Sequence, residues 1–439
     1  LDPLTGNVTR RFFSYAVPTV LGMLAMSSAG IVDGMFLGNF VGANAIAAVN
    51  IVLPVFSLMM GLTLMVNVGS TVIAGELLGR NESQAASRIF SQTLVLVTLL
   101  AVIFVTAIMF ALEPVIRLLG ANEQLVGITA QYLRIIMLSM PAYMLGICLY
   151  YFVRLDGRPK LASVALLVSA LVNIVLDALL VGWLQWGIEG AAYATAASYV
   201  ILAAVLVMHF IAGKGQLRWC SPMGGWRRTI AASGNGLSEF VNELSVGATT
   251  LIFNWVMVER FGTQGVAAFA VVNYIVWISM MILFGVSDSL PPMMSKNFGA
   301  GRIDRVRSLL RVGLVTVSTI GVLVIVVLLI VPEALVDIFL KDDAVTTRQI
   351  ALEFIHWYWP AFLFSGAAIC ISAYLTALQK PLPSAAIAIS RSFILPCVFV
   401  ATLPLVWGNT GVFLAIPLAE ACTFILAIVL MMRISSTVR

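Results

Sequence analysis

Apolar runs of the length needed to cross a bilayer recur along the whole chain, and no other feature restricts its fold as tightly. A transmembrane helix needs about 20 predominantly apolar residues. Twelve such runs lie at roughly 12–37, 44–74, 89–111, 124–147, 161–181, 188–212, 229–258, 264–290, 308–331, 345–373, 382–404 and 411–434. Outer-membrane strands would be about 10 residues long and alternate in polarity, and no such pattern is present. The 439 residues are 61% hydrophobic and only 10% charged, against about 25% charged in a soluble domain. Mean hydropathy is +1.04. The fold class that follows is an all-α polytopic membrane protein of twelve helices embedded in a lipid bilayer.

The few charges predict the topology. Of the 25 Lys and Arg residues, nineteen fall in one set of loops, and four (Arg117, Arg260, Lys341 and Arg348) in the other; Arg134 and Arg391 remain inside spans. Lys and Arg concentrate on the cytoplasmic side, so both termini are expected in the cytoplasm. The net charge of +5 reflects this bias and not nucleic-acid binding. The five cysteines, Cys148, Cys220, Cys370, Cys397 and Cys422, have neither metal nor redox spacing and read as packing residues. The chain opens LDPL without a Met, so residues are expected to precede it, and the first span can itself serve as the targeting signal.

The chain also repeats itself at an offset of about 220 residues. WGIEG at 186–190 answers WGNTG at 407–411; Pro141 answers Pro360, Lys160 answers Lys380, Gly79 answers Gly299 and Phe40 answers Phe261. The expected organisation is an N-terminal lobe, residues 1–213, a basic linker, 214–228, and a C-terminal lobe, 229–439. Six spans per lobe give both the same topology. Parallel repeats of this kind place substrate between them, which favours alternating access over a channel or a receptor-like binding protein.

Ionisable residues within spans are costly, about 2.5–3.5 kcal/mol each at the bilayer centre on insertion scales, and they mark ion or substrate paths. Most of those here are acidic: Asp33, Asp177, Glu239, Glu243, Asp288, Glu353 and Glu420. Asn173 and Asp177 differ by four positions and share a helix face. With Asp33, Tyr132 and Thr195 they fall in the outer half of the N-lobe at 1.5 Å rise per residue. Two carboxylates, an amide, a hydroxyl and a phenol at one depth suit a proton, or a sodium ion held by Asp33, Asn173, Asp177 and Thr195. In the repeat, Asp33 aligns with Asn254, and Asp177 falls opposite the apolar PCVFV, 396–400. Ion coupling is therefore expected in the N-lobe. Glu239, Glu243 and Glu353, with His356, form a second acidic set that reads equally as a C-lobe site or as a structural network with Arg391. Pro18 removes a backbone hydrogen bond inside span 1 and reads as either a passive kink or a hinge.

Asp33 in span 1, the Asn173–Asp177 pair, GAAYAT at 190–195 and the six-plus-six layout resemble the multidrug and toxic compound extrusion (MATE) family over essentially the whole chain. The N-lobe acids suggest its DinF-like branch. The resemblance implies two pseudo-symmetric bundles around a V-shaped central cavity, exporting cationic or amphipathic drugs in exchange for protons or sodium. It also implies that Asp33 is the coupling residue, with Tyr132, Asn173, Asp177 and Thr195 as partners and Pro18 as the helix-1 hinge. The C-lobe departs from the family pattern: span 7 offers Glu239 and Glu243 where one acid is expected. No organic cofactor or resident metal is called for; the coupling ion is the only inorganic requirement. The expected protein is a multi-pass monomer of a bacterial inner membrane, with small-molecule drugs as partners. No Walker motif or nucleophile–base constellation occurs, so it is not read as an enzyme. The rival reading is a flippase for lipid-linked oligosaccharides or other lipids, whose cavity would need cations for pyrophosphate.

Overall fold

The computed structural model describes residues 2–340 and 345–435; Lys341 and Arg439, counted among the loop charges, lie outside them. The described residues are helical throughout, with short turns between helices and no strand. Nine helical stretches are long and apolar enough to span a bilayer, or ten when Val345–Tyr358 and Ala361–Ala377, bent by 58°, count as one span. Two of the stretches, Trp226–Gly299 and Pro381–Ile434, run for 74 and 54 residues, lengths of roughly 110 and 80 Å at 1.5 Å per residue. A hydrocarbon core is about 30 Å thick, so each is long enough to cross at least twice. A second crossing in each brings ten spans to twelve.

Each doubled stretch is broken at a glycine in the left-handed region, Gly262 at φ +65° and Gly408 at φ +57°. Their repeat counterparts, Gly42 at φ +110° and Gly187 at φ +61°, also lie between spans. Side chains with a Cβ disfavour this conformation, so the Trp-Gly pairs at 186–187 and 407–408 are turn signals used once per repeat.

The helices group into two compact units. The first runs to Gly236 and includes Ser295–Arg302. It contains α1 (Val8–Phe36), α2 (Ala43–Gly79), α3 (Ser83–Phe110), α4 (Leu112–Leu118), α5 (Glu123–Leu155), α6 (Pro159–Leu176), α7 (Gly187–Ile211) and α8 (Trp226–Ser233). Helix α5 is its centre, packed on α2, α3 and α7 and buried almost continuously from Met144 to Leu155. Helix α1 leans mainly on α6. The basic linker is fastened along α3: Ser87 and Ser91 hydroxyls accept from the amides of Arg218 and Cys220, both at 3.0 Å, and the Gln92 amide donates to the carbonyl of Pro222 at 3.0 Å. Buried Asp156 accepts from the amide of Gln216 at 2.7 Å and lies 2.8 Å from His209. The repeat glycines Gly79 and Gly299 mark a backbone-to-backbone contact inside this unit. A Cβ on Gly79 would stand 2.1 Å from the Lys296 carbonyl oxygen, and one on Gly299 2.0 Å from that of Glu76.

The second unit comprises Leu237–Met294 and the chain from Ile303 onward. Its helices are α9 (Leu237–Asp288), α10 (Leu290–Gly299, whose last turns belong to the first unit), α11 (Ile303–Ile330), α12 (Pro332–Asp337), α13 (Val345–Tyr358), α14 (Ala361–Ala377), α15 (Pro381–Ile389) and α16 (Leu395–Ser435). Helix α14 packs on α9, α11 and α16. A chain of rings, Phe253, Phe269, Phe354, Phe413 and Phe261, runs through this unit with centroids 4.9 to 5.9 Å apart. The repeat is not perfect. Pro141 lies inside the unbroken α5, whereas its counterpart Pro360 separates α13 from α14.

Candidate functional site

Asp33 lies one turn before the end of α1, where the helix widens into a π-helical segment, Leu37–Val41. Asp177 is the first residue of a second such segment, Asp177–Trp183, which continues α6. A π turn adds one residue without ending the helix and re-aims the side chains around it; such bulges are frequent at functional sites. Helix α1 and the Asp177–Trp183 segment touch, and the two carboxyl groups are within hydrogen-bonding reach of each other.

Three of the four oxygens have no other donor. Oδ1 of Asp33 and both oxygens of Asp177 are buried without a hydrogen-bond partner, and Asp177 is 0% exposed. An ionised carboxylate accepts only, so two of them in contact need a proton between them. Two bare charges 4 Å apart would repel by about 4 kcal/mol even at an effective dielectric constant of 20. A carboxyl pair holding one proton satisfies both groups at once, and that arrangement binds or releases a second proton or a competing cation.

The remaining N-lobe candidates surround the pair in a different pattern from the one expected. The expected arrangement has Tyr132, Asn173 or Thr195 donating to Asp33. Instead the Asn173 amide donates to Thr195 Oγ1 at 3.3 Å, joining α6 to α7. The reason is geometric: Asn173 lies one turn before Asp177, on the α-helical side of the π segment, and its amide reaches across to the neighbouring helix. Tyr132, on α5, is buried at 4% exposure and close enough to both acids to feel their charge. Pro18 lies inside α1, which remains helical through it.

Two tyrosines were missed. Tyr199, one turn beyond Thr195, lies close to Asp33 and Tyr132. Its ring is 4.2 Å from that of Tyr143, whose hydroxyl donates to the Met60 sulfur at 3.6 Å. Helical spacing carried the signal: 195 and 199 share a face, and 132 and 143 are eleven residues, about three turns, apart.

The C-lobe acids separate. Glu239 lies near Asp288 and Glu243, at the start of α9. Glu353 is exposed on α13, as is His356, so the expected grouping of Glu353 with Glu239 and Glu243 is replaced by one with Asp288. Arg391, in a third π segment, Ser390–Ile394, pairs with Glu420 at 3.1 Å, the side chains 11% and 4% exposed. Its guanidinium lies 5.5 Å from the Phe284 ring centre and donates to the Met280 sulfur at 3.6 Å. This ion pair is enclosed and internally satisfied, as buried charges must be. Among the described residues no group of three or more His, Cys, Asp or Glu could hold a metal. The two acids with Asn173 and Thr195 offer oxygen ligands of the kind hard cations take.

The family model described as MatE matches the chain twice, over residues 18–179 and 241–402, once in each half of the internal repeat. Multidrug export protein MepA of Staphylococcus saprophyticus is 25% identical over 419 residues, 94% of this chain and 91% of that protein. Among solved structures, the outward-facing conformation of a multidrug resistance MATE family transporter of the MOP superfamily superposes with a TM-score of 0.94 at 18% identity, covering 100% of this chain and 98% of the other. A MOP superfamily transporter from Pyrococcus furiosus, described as having a binding pocket of reverse polarity, superposes at 0.92 with 19% identity, covering 99% and 97%. The solved structures share the fold, and the two matched segments together cover well over half of the sequence: the chain belongs to the MatE family.

Proposed function

We propose that the protein is a secondary antiporter that exports cationic or amphipathic drugs in exchange for protons, and that it belongs to the DinF-like branch. The observation that carries this reading is the buried Asp33–Asp177 pair, whose oxygens find no donor but each other. Staphylococcal relatives that carry the name multidrug export protein support the substrate class. The chain works as a monomer in a bacterial inner membrane, with both termini cytoplasmic as the Lys and Arg bias implies. Its two lobes, 1–213 and 229–439 joined by 214–228, alternate access around the substrate.

A cationic drug and a proton compete for the same negative charge. With one shared proton the pair keeps a charge that balances the drug. Entry of a second proton from outside neutralises both carboxyls, removes that charge and releases the drug outward. Tyr132 and Tyr199 supply a polar wall near the acids, and the Asn173–Thr195 contact holds α6 against α7 while α1 shifts, with Pro18 as the point where α1 bends. One charge moving through 100 mV yields about 2.3 kcal/mol, enough for roughly a 40-fold gradient of a neutral substrate per proton.

The oxygen set of Asp33, Asp177, Asn173 and Thr195 supports sodium as the second reading of the coupling ion. The flippase reading loses support because, of the two span arginines, Arg391 is already paired with Glu420 and Arg134 is exposed. The test is drug transport by the purified protein in liposomes with proton and sodium gradients imposed separately. Uphill export driven by the proton gradient alone is expected; export driven only by sodium assigns that ion instead, and no uphill transport under either gradient refutes antiport.

A further inference from the structure

A second site lies at the opposite end of α1 and α6 from the acid pair. A cavity of about 730 Å³ is lined by Arg10, Arg11, Arg158 and Lys160, together with Asn7 and Ser14. Arg10, Arg158 and Lys160 are exposed and Arg11 is half-buried. The acids nearest in sequence have other partners: Asp156 is held by His209 and the linker amides, and Asp2 lies 3.5 Å from Lys296. Arg11 donates from Nε to the carbonyl of Thr5 at 3.1 Å, which fixes the guanidinium at the rim without neutralising it. Four positive charges therefore surround a space deep enough for a phosphate, and no carboxylate is among the residues that line it.

The surface leading away from this cavity is apolar and exposed. Phe13, Val17 and Leu21 follow at intervals of four on α1, at 42%, 52% and 51% exposure, and Val164, Leu167 and Leu171 follow on α6 at 49%, 36% and 60%. From Arg10 to Leu21, and from Lys160 to Leu171, is eleven residues, about 16 Å, or half the ~30 Å hydrocarbon core. That is the reach of an acyl chain from its headgroup. A soluble anion such as a nucleotide would use the charges but not the stripes. Basic pockets between membrane helices are a known way of holding anionic headgroups.

We infer that the cavity between the starts of α1 and α6 binds the phosphate headgroup of an anionic phospholipid, its chains lying along the exposed apolar stripes of those two helices. Bound there, one phosphate bridges Arg10 and Arg11 of α1 to Arg158 and Lys160 of α6 and relieves the mutual repulsion of the four charges. These same helices carry Asp33 and, through the π segment, Asp177. The inference does not rest on the transport reading.

Native mass spectrometry of the detergent-purified full chain, mixed with equal phosphatidylglycerol and phosphatidylcholine, tests it. Phosphatidylglycerol should be retained preferentially. An Arg158→Gln/Lys160→Gln variant should lose about 25-fold in that retention, at about fivefold per cation removed, with phosphatidylcholine unaffected. An Arg158→Lys/Lys160→Arg variant should keep it and so separate charge from folding. Arg227→Gln/Arg228→Gln, exposed cations of α8, should also keep it. Equal retention of both lipids by the native chain would overturn the proposal. So would an equal loss from the α8 variant, which would mean diffuse surface attraction, or displacement of the lipid by equimolar glycerol phosphate, which would make the ligand a soluble phosphate.

Discussion

Replacing Asp33 by Asn should leave the fold nearly as stable as before and abolish uphill export. In the native pair one shared proton provides a single donor for oxygens that have no other partner. An asparagine at position 33 directs one N–H of its amide at the Asp177 carboxylate in place of that O–H, so the carboxylate keeps a donor. The difference is one hydrogen bond exchanged for another, about 0.5–1.5 kcal/mol at most. Asp33→Ala provides no donor and strands a fully buried carboxylate, at a cost of about 1–3 kcal/mol or more. The two variants should therefore separate in thermal unfolding in detergent, with Asn close to native and Ala clearly below it. In liposomes at 100 mV, the native protein can sustain roughly a 40-fold gradient of an electroneutral amphipathic substrate per proton. Neither variant should hold any, because release requires the carboxyl on α1, the helix that shifts, to take up a proton, and neither an amide nor a methyl group there can do so. A sustained drug gradient in the Asn variant would refute the coupling role. A loss of stability equal to that of Ala would refute the shared-proton geometry.

Other consequences are independent of transport. Gly79→Val should destabilise the first unit by about 1–3 kcal/mol through overpacking, because even a Cβ there meets the Lys296 carbonyl at 2.1 Å; denaturant unfolding reads this, and an unchanged midpoint would count against the close approach. Arg391→Met should cost about 3–5 kcal/mol by leaving Glu420 buried and unpaired, and adding Glu420→Gln should recover much of the loss in the same assay. Asp337 lies on α12, outside the membrane spans, and Arg348 holds its carboxyl below its ordinary range by donating to it at 2.6 Å. A depressed folded-state value means that the contact supports the fold above the unfolded value, about 3.9, and is lost as pH falls through the lower, folded one. Hydrogen exchange in α12 should therefore be flat from pH 7 to 5 after correction for intrinsic rates and rise only under stronger acid, a rise that Asp337→Asn should remove.

Much of this was legible along the chain because the bilayer imposes one-dimensional rules. Backbone polar groups must be satisfied within each segment, so apolar length alone marked the spans, and the Trp-Gly repeats marked turns that only glycine adopts easily. The two longest helical stretches illustrate the limit. Gly262 and Gly408 interrupt them so locally that the helix appears continuous on either side, yet the sequence had already divided each one into two spans.

The acids were visible as charges in oil, but their partners were not. Depth placed Asp33, Asp177, Asn173, Thr195 and Tyr132 together, yet depth says nothing about direction around a helix. The π segments beginning at Leu37 and Asp177 insert an extra residue per turn, which no 3.6-residue periodicity anticipates, and the Asn173 amide accordingly goes to Thr195 while the carboxyls face each other. In the C-lobe the same limit paired Arg391 with Glu420 and Glu239 with Asp288, and left Glu353 exposed. Composition and spacing by themselves determined that this chain is a duplicated, twelve-span membrane protein with carboxyl groups inside its spans, because the cost of burying charge and backbone in lipid is paid residue by residue. Which acid meets which donor was decided only by tertiary structure, because that depends on how helices rotate against one another, and rotation is set by packing among residues far apart in the chain.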